Sequence, residues 1–391
     1  MRVAVVTGRY ARRLDGVADY VGRLAEVLPG AGVEPVVVSA RGADAPCVEA
    51  CRSWGPRGVL DAARAVADLR PDLVHVQFAP SAYGFSPAVG LLPAALRGLV
   101  RAPLVTTLHE YGWWSWPPRV PDGAWAPLER RRLWDRETLL LGPRSAALVA
   151  TNAEHAGHVR DRLGREPVVV PIGANVPDLG ATRDEARAHA REAYGVPESS
   201  PLLLFFGFVH PVKGVRQLID ALEDLRRDAD VRLVVAGGFT SLALPETEAR
   251  AFRAELEQRA RDRGVAGAVR FTGHVAAAEV STLLHAADAV VLPMTAGVTT
   301  KSGALLAALE HGAPVVATAA ERPDPDLVDG RTVVVVPERR DADGIARGVR
   351  RVLGDPALRE RVARGGRELA LARSWPVAAQ RHAALYREVL G

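Results

Sequence analysis

Only two lysines occur in the chain, Lys213 and Lys301; the other 48 of its 50 basic residues are arginine. Each lysine stands where an apolar run gives way to a helical pattern. Leu202 to Phe206 is followed by Gly207, Phe208, His210, Pro211 and then Lys213 and Gly214. Ala289 to Leu292 is followed by Gly297, Thr299, Thr300, Lys301, Ser302 and Gly303, and then by the apolar stretch Ala304 to Leu309. The start of a helix offers unpaired N–H groups to an anion, a glycine lets the anion approach the backbone, and an ammonium adds charge. Phosphate suits such a place. In the second segment the hydroxyls of Thr299, Thr300 and Ser302 and the bare backbone of Gly303 add donors, enough to hold a diphosphate. The G-x-x-x-x-G-K-[ST] order of a nucleoside-triphosphate hydrolase is absent. The plainer reading of either segment is a strand-to-helix turn with a solvated lysine and a Ser or Thr cap.

Other candidate residues follow other apolar runs. His109 and Glu110 come directly after Leu104 to Leu108, and a neutral imidazole there can hydrogen-bond a hydroxyl at pH 7. Tyr111, Trp113, Trp114 and Trp116 come next; five of the seven tryptophans lie between Trp113 and Trp134. Aromatic faces stack on sugar rings, so this loop is read as shaping an acceptor site, with packing as the alternative. The first strand leads to Gly16, Asp19 and Tyr20 at the opening of a helix, without the G-x-G-x-x-G fingerprint of nicotinamide enzymes. Asp19 stands in the helix's first turn, where an acid also complements the dipole. His75 is expected to be a satisfied core residue, and His155, His158, His210 and His274 are secondary candidates. No Asp, Glu, His or Cys cluster shows metal-ligand spacing, so no metal and no cofactor are expected. Cys47 and Cys51, the only cysteines, exclude a disulfide framework.

The elements that must position these residues read as two series of strand-helix units. Expected strands are 3–7, 34–39, 73–77, 104–108, 147–150 and 168–170, then 202–206, 232–236, 268–272, 289–292, 315–318 and 333–336. Apolar runs alternating with amphipathic stretches are the pattern of parallel sheets covered on both faces. At 391 residues two domains are expected, 1–175 and 176–374, with a cleft between them and a last helix over 375–391 returning to the first. In doubly wound sheets ligands bind beyond the carboxyl ends of the strands, where every residue named above stands. Net charge is only +4, which does not mark a nucleic-acid binder. The longest apolar stretches, such as Val333 to Val336, fall far short of the ~18 residues of a membrane span. The opening run, a strand long before Gly8 and Arg9, is unlike a signal peptide. A cytoplasmic protein is expected. The basic run Glu129 to Arg136 admits a peripheral membrane contact, though a solvated, ion-paired face explains it better.

Taken in order, these fragments resemble the GT-B fold glycosyltransferases of family 4: Gly16 to Tyr20, His109-Glu110, Thr151 to Glu154, Pro171 to Asn175, Phe206-Gly207 to Lys213-Gly214, Val235 to Gly238, Phe271 to Val275 and Glu310 to Thr318. The likeness runs over nearly the whole chain. It implies two doubly wound Rossmann-like domains and a retaining transfer of sugar from a nucleotide-diphosphate donor, UDP or GDP in type, held mainly by the second domain. It also implies a small-molecule or lipid-linked acceptor held by the first. Gly16 is then a loop over the phosphates, Lys213 a diphosphate ligand, Gly207 and Gly237 donor-site glycines, Gly273, His274 and Val275 neighbours of the base, and His109 a contact of the transferred sugar. Two departures stand out. Phe208 occupies a place where members usually carry arginine, and Lys301 is read as the replacement. A glutamate pair eight positions apart is replaced by Thr299 and Ala307, with Glu310 as an alternative ribose partner. The rival readings are a nucleotide-sugar binding protein or partner subunit without activity, and a nucleotide-sugar epimerase, which needs acid and base carboxylates around the sugar.

Overall fold

The computed structural model describes residues 1–12, 15–118, 120–239 and 246–391, and these form two compact units, Met1–Ile172 with Trp375–Gly391, and Gly173–Ser374. Unit 1 runs β1 (Arg2–Arg9), α1 (Gly16–Val27), β2 (Glu34–Ala40), β3 (Val48–Cys51), α2 (Pro56–Asp68), β4 (Leu73–Phe78), α3 (Leu92–Leu96), β5 (Leu104–Leu108), α4 (Asp122–Arg130), α5 (Leu141–Arg144), β6 (Ala147–Ala150), α6 (Ala153–Leu163) and β7 (Val168–Val169). Unit 2 runs α7 (Arg183–Tyr194), β8 (Leu202–Phe206), α8 (Val215–Leu225), β9 (Arg232–Ala236), α9 (Glu246–Asp262), β10 (Val269–Gly273), α10 (Ala277–Ala286), β11 (Ala289–Leu292), α11 (Gly303–Glu310), β12 (Val315–Thr318), β13 (Val334–Val336), α12 (Ala342–Gly354) and α13 (Pro356–Leu371). The last helix, α14 (Trp375–Leu390), belongs to unit 1.

Both sheets are parallel. Their orders among the described residues are β3-β2-β1-β4-β5-β6-β7 and β10-β9-β8-β11-β12-β13. The short β3, which pairs with β2 through Val38 and Val48, was not expected from the sequence; four residues with Glu49 among them carry too weak an apolar signal. The order reverses between β1 and β4 and again between β8 and β11, and these are the switch points where loops diverge to opposite faces and leave room for a ligand.

Burial explains the strands. Val3 to Val6 and Leu202 to Phe205 are at most 1% exposed, because helices cover both faces and alternation has no place. The helices are one-sided: in α8 the buried residues Val215, Leu218, Ile219, Leu222 and Leu225 recur at helical spacing. Thr182 and Glu185 close a capping box that starts α7. In α14, Ala378, Ala379, Ala383 and Tyr386 join Val3, Val5 and Leu24 in one core cluster of unit 1.

Candidate active site

In unit 2 the ends of three strands are stitched backbone to backbone. Gly207 donates its N–H to Ala236 (3.1 Å) and Gly237 donates to the carbonyl of Gly273 (3.0 Å). A β-carbon on Gly237 would stand 1.9 Å from the Gly207 carbonyl oxygen, so only glycine fits. Gly273, at φ +70, has no neighbour within 4 Å of where a side chain would be, and the adjoining His274 is exposed while Val275 is partly buried. Phe208 is 46% exposed.

Across the switch point, the turn after β8 is bound to the loop after β11. Thr295 donates its N–H to the Val212 carbonyl (2.9 Å), and Gly214, at φ +73, approaches Pro293 so closely that a β-carbon would lie 1.8 Å from its oxygen. This lays Lys213 on the β11 loop, with Nζ 3.8 Å from Met294 Sδ. Burial lowers its pKa from the ordinary lysine value, since an ammonium there has lost water without gaining a paired anion. An entering phosphate reverses that loss.

The loop after β11 leads into α11, where Ser302 caps the helix by accepting from the Leu305 N–H (3.3 Å). Thr299 Oγ1 accepts from the Lys301 N–H (3.4 Å), and Lys301 itself is exposed. Thr300 is a correction to the sequence reading. Its N–H and its hydroxyl both go to Asp324 Oδ2, at 2.7 and 2.8 Å, so it anchors the loop and has no donor left for a ligand. Thr299 and Ser302 are held only as acceptors in these bonds and keep their hydroxyl hydrogens. Glu310 ends α11, about 10 Å along the axis from Gly303 at 1.5 Å per residue. Ala307 is fully buried.

In unit 1, His109 follows β5 and its N–H bonds the carbonyl of Phe78 (2.9 Å), at the end of the neighbouring strand. Nε2 lies 2.8 Å from Gln77 Oε1, and the Tyr20 ring meets the imidazole edge-on at 4.6 Å between centroids. Burial, reinforced by His155 and His382, lowers the His109 pKa to about 3; the ring is neutral at pH 7. Ser81 donates to both oxygens of Glu110, at 3.3 and 3.2 Å. Gly16 opens α1 with nothing within 4 Å of an added side chain. Asp19 faces Arg12, before α1, and Arg23, one turn on in α1, at 3.6 and 3.8 Å, so this carboxylate is paired with two guanidinium groups.

The aromatic loop divides. Tyr111 is 1% exposed and donates to the buried Asp135 at 2.7 Å, which removes it from the acceptor candidates: it is core. Trp113 is 59% and Trp116 41% exposed, and Trp113 pairs edge-to-face with Phe85 at 6.4 Å; Trp114 is partly buried. In the basic run, α4 ends at Arg130, Arg130 to Leu133 are exposed, and Glu129 and Arg136 form a buried bidentate pair (2.8 and 2.9 Å), so the run is an ion-paired, partly solvated stretch rather than one continuous helix.

His75 is fully buried between Tyr386 (2.6 Å) and Thr107 (2.7 Å). Among the secondary histidines, His155 bonds Asn152, His158 packs on Gly112 and His210 caps the turn before Lys213. Sequence reasoning missed Gln77, at the end of β4, and Asp324 and Phe85, which lie six and seven residues past β12 and β4 and carry no strand-end signal. It also missed Asp178, His285 and His311, whose ligand atoms lie within 4.8 Å of one another. Three such groups can hold an ion; here they bond each other and their surroundings. His285 bonds Asp178 (2.7 Å), His311 bonds Ser281 (2.9 Å), and Arg367 lies 3.5 Å from the other Asp178 oxygen.

The family model described as glycosyl transferases group 1 matches residues 186–369, and the one described as glycosyltransferase family 4 matches residues 14–176. Together they cover the body of both units. A D-inositol 3-phosphate glycosyltransferase of Frankia alni is 30% identical over 352 residues, 86% of this chain and 80% of the relative. The alpha-D-kanosaminyltransferase of Streptomyces kanamyceticus is 28% identical over 78% of this chain and 75% of its own length. Among solved structures, Anabaena HepE in complex with UDP and glucose superposes with a TM-score of 0.72, at 17% identity, over 99% of each chain. The chain belongs to the group 1, family 4 glycosyltransferases and has the GT-B fold. It is an enzyme of that class. Among the described residues no helix is long and apolar enough to cross a membrane.

Proposed function

We propose that the protein is a retaining glycosyltransferase that moves a sugar from a nucleotide-diphosphate donor to a hydroxyl of a small-molecule acceptor. The observation that carries this is the convergence at the β8/β11 switch point: Lys213 lies on the loop that leads to Lys301, Ser302 and the start of α11. Ammonium, hydroxyl and helix N–H groups together suit a diphosphate, and they bind it more strongly as it gains charge on leaving. Gly273 leaves the end of β10 bare for the nucleoside, while Gly207 and Gly237 let the ends of β8 and β9 close on one another. Gly16 keeps the opening of α1 clear, and His109 meets a sugar hydroxyl. The bond from the anomeric carbon to the phosphate oxygen breaks, a bond from that carbon to the acceptor oxygen forms on the same face, and the acceptor's proton passes to the departing phosphate. No side chain is then needed as base. Relatives named for D-inositol 3-phosphate and a structural neighbour solved with UDP and glucose support a small polyol acceptor and a UDP-type donor.

The test is a melting-temperature screen against nucleotide sugars, because a ligand that binds the folded state raises stability by RT ln(1 + [L]/Kd). The best donor is then incubated with polyol acceptors and the product's anomeric configuration read by NMR. One nucleotide sugar is expected to stand out and the configuration to be retained. A flat screen, or an inverted product, overturns the reading.

A further inference from the structure

We propose that Gln77 is a positioning residue that fixes the tautomer and ring plane of His109, so that the imidazole meets substrate as a hydrogen-bond acceptor at Nδ1. The proposal rests on the reading of His109 as a sugar contact. An amide oxygen carries no hydrogen, so the 2.8 Å contact between Gln77 Oε1 and His109 Nε2 requires the hydrogen to be on Nε2. A neutral ring then has its lone pair on Nδ1, the atom for which no described residue supplies a hydrogen bond. A substrate hydroxyl can donate there; a substrate carbonyl or phosphate oxygen cannot.

Gln77 is itself held. It is fully buried in β4, with its amide nitrogen 3.2 and 3.1 Å from the two ring nitrogens of His75. His75 is in turn held by Thr107 of β5 at 2.7 Å and Tyr386 of α14 at 2.6 Å. The amide nitrogen thus lies over the face of the His75 ring, whose two nitrogens are already engaged by Thr107 and Tyr386, and the amide oxygen is turned toward His109. A buried chain of four side chains thus connects the last helix to the imidazole, within unit 1 throughout. The groups that face His109 are His75 of β4, Tyr20 of α1, His155 at the start of α6 and His382 of α14, with Glu110 next in the chain and hydrogen-bonded by Ser81. Three are imidazoles and one is a phenol, so this surrounding favours the neutral ring, consistent with its lowered pKa. A glutamine supplies the acceptor that orients the ring without the negative charge that would protonate it, which a glutamate would bring.

The experiment uses the full chain, labelled with 15N-histidine, as wild type, Gln77→Glu and Gln77→Met. Wild-type His109, assigned by its loss in His109→Ala, is expected to show the neutral Nε2–H tautomer from pH 5 to 8 and a flat kcat/KM over that range. Gln77→Glu keeps the bond but stabilises imidazolium, so the His109 midpoint is expected to rise by at least 2 pH units, to about 5 or above, with a matching acid limb in kcat/KM. Gln77→Met, close in volume, removes the bond; mixed tautomers and a fall in kcat of about tenfold are expected. The idea is overturned if Gln77→Met keeps the Nε2–H tautomer with kcat within about twofold of wild type, or if Gln77→Glu folds and leaves both titration and pH profile unchanged. A failure of every nucleotide sugar to stabilise the wild type would sink the transferase reading instead, while the spectra still decide what Gln77 does.

Discussion

Lys213 and Lys301 differ in setting although they share a proposed role. Lys301 is exposed, so Lys301→Ala should leave the melting temperature unchanged while lowering kcat about 100-fold, the size seen when one electrostatic stabiliser of a leaving group is lost. Lys213 lies over Met294, and its alanine variant should lose a comparable factor in kcat together with about 1 kcal/mol of stability from the buried stem. Lysine-to-arginine variants should fall between, because a planar guanidinium does not fit where a compact ammonium does. Near-normal turnover of Lys301→Ala would make the segment from Thr299 to Gly303 a helix cap and nothing more. In the proposed mechanism these cations take the place of a metal on the diphosphate, so activity in excess EDTA should match the untreated enzyme. Loss on chelation, restored by magnesium or manganese, would refute that, and restoration by zinc alone would direct attention to Asp178, His285 and His311.

At the scale of the element, the loop after β5 carries two kinds of aromatic residue that neighbouring positions in sequence do not distinguish. Trp113 stands in solvent against Phe85, whereas Tyr111 is packed beneath with its hydroxyl on Asp135. Trp113→Ala should therefore raise the acceptor KM several-fold with little change in donor KM or in stability, as expected of a stacking face. Tyr111→Phe should do the reverse. It strands one oxygen of a buried carboxylate, at a cost of about 1 to 3 kcal/mol, and should lower the melting temperature with both KM values intact. Equal effects of the two substitutions on acceptor KM would show that the loop acts as one packed body.

At the scale of the molecule, unit 1 encloses neutral imidazoles. Burial lowers the pKa of His382 to about 4 and of His109 to about 3, and that of His75 well below the ordinary value. Between those values and about 6.5 the unfolded chain binds protons that the folded one refuses, so stability falls as pH falls, by up to about 1.4 kcal/mol per pH unit for each imidazole. Glu137, raised to about 7 by burial despite Arg162 beside it, acts in the opposite sense, losing stabilisation as pH rises from about 4.5. Three imidazoles outweigh one carboxyl, and denaturant unfolding should show a net loss of stability from pH 7 to 5. His382→Asn should flatten that slope by about one proton; an unchanged slope would mean that His382 is not held neutral.

Much of this was determined by the sequence alone. The apolar runs from Val3 to Val336 marked twelve of the strands, because a parallel sheet covered on both faces requires continuous apolar segments whatever their neighbours are. The two lysines, the glycines after β8 and β9 and the imidazole after β5 were legible for a similar reason: in this architecture the chemistry sits at strand ends, which a reader can count to. What sequence could not decide was which polar groups are spent on the protein itself. Thr300 is bound by Asp324, 24 residues away, Tyr111 by Asp135, and His109 by a glutamine buried in the neighbouring strand, 32 residues away. A hydroxyl or an imidazole looks equally available in every sequence that contains it. Only the tertiary structure, by bringing distant donors and acceptors within 3 Å of one another where water cannot compete, settles which remain for a substrate.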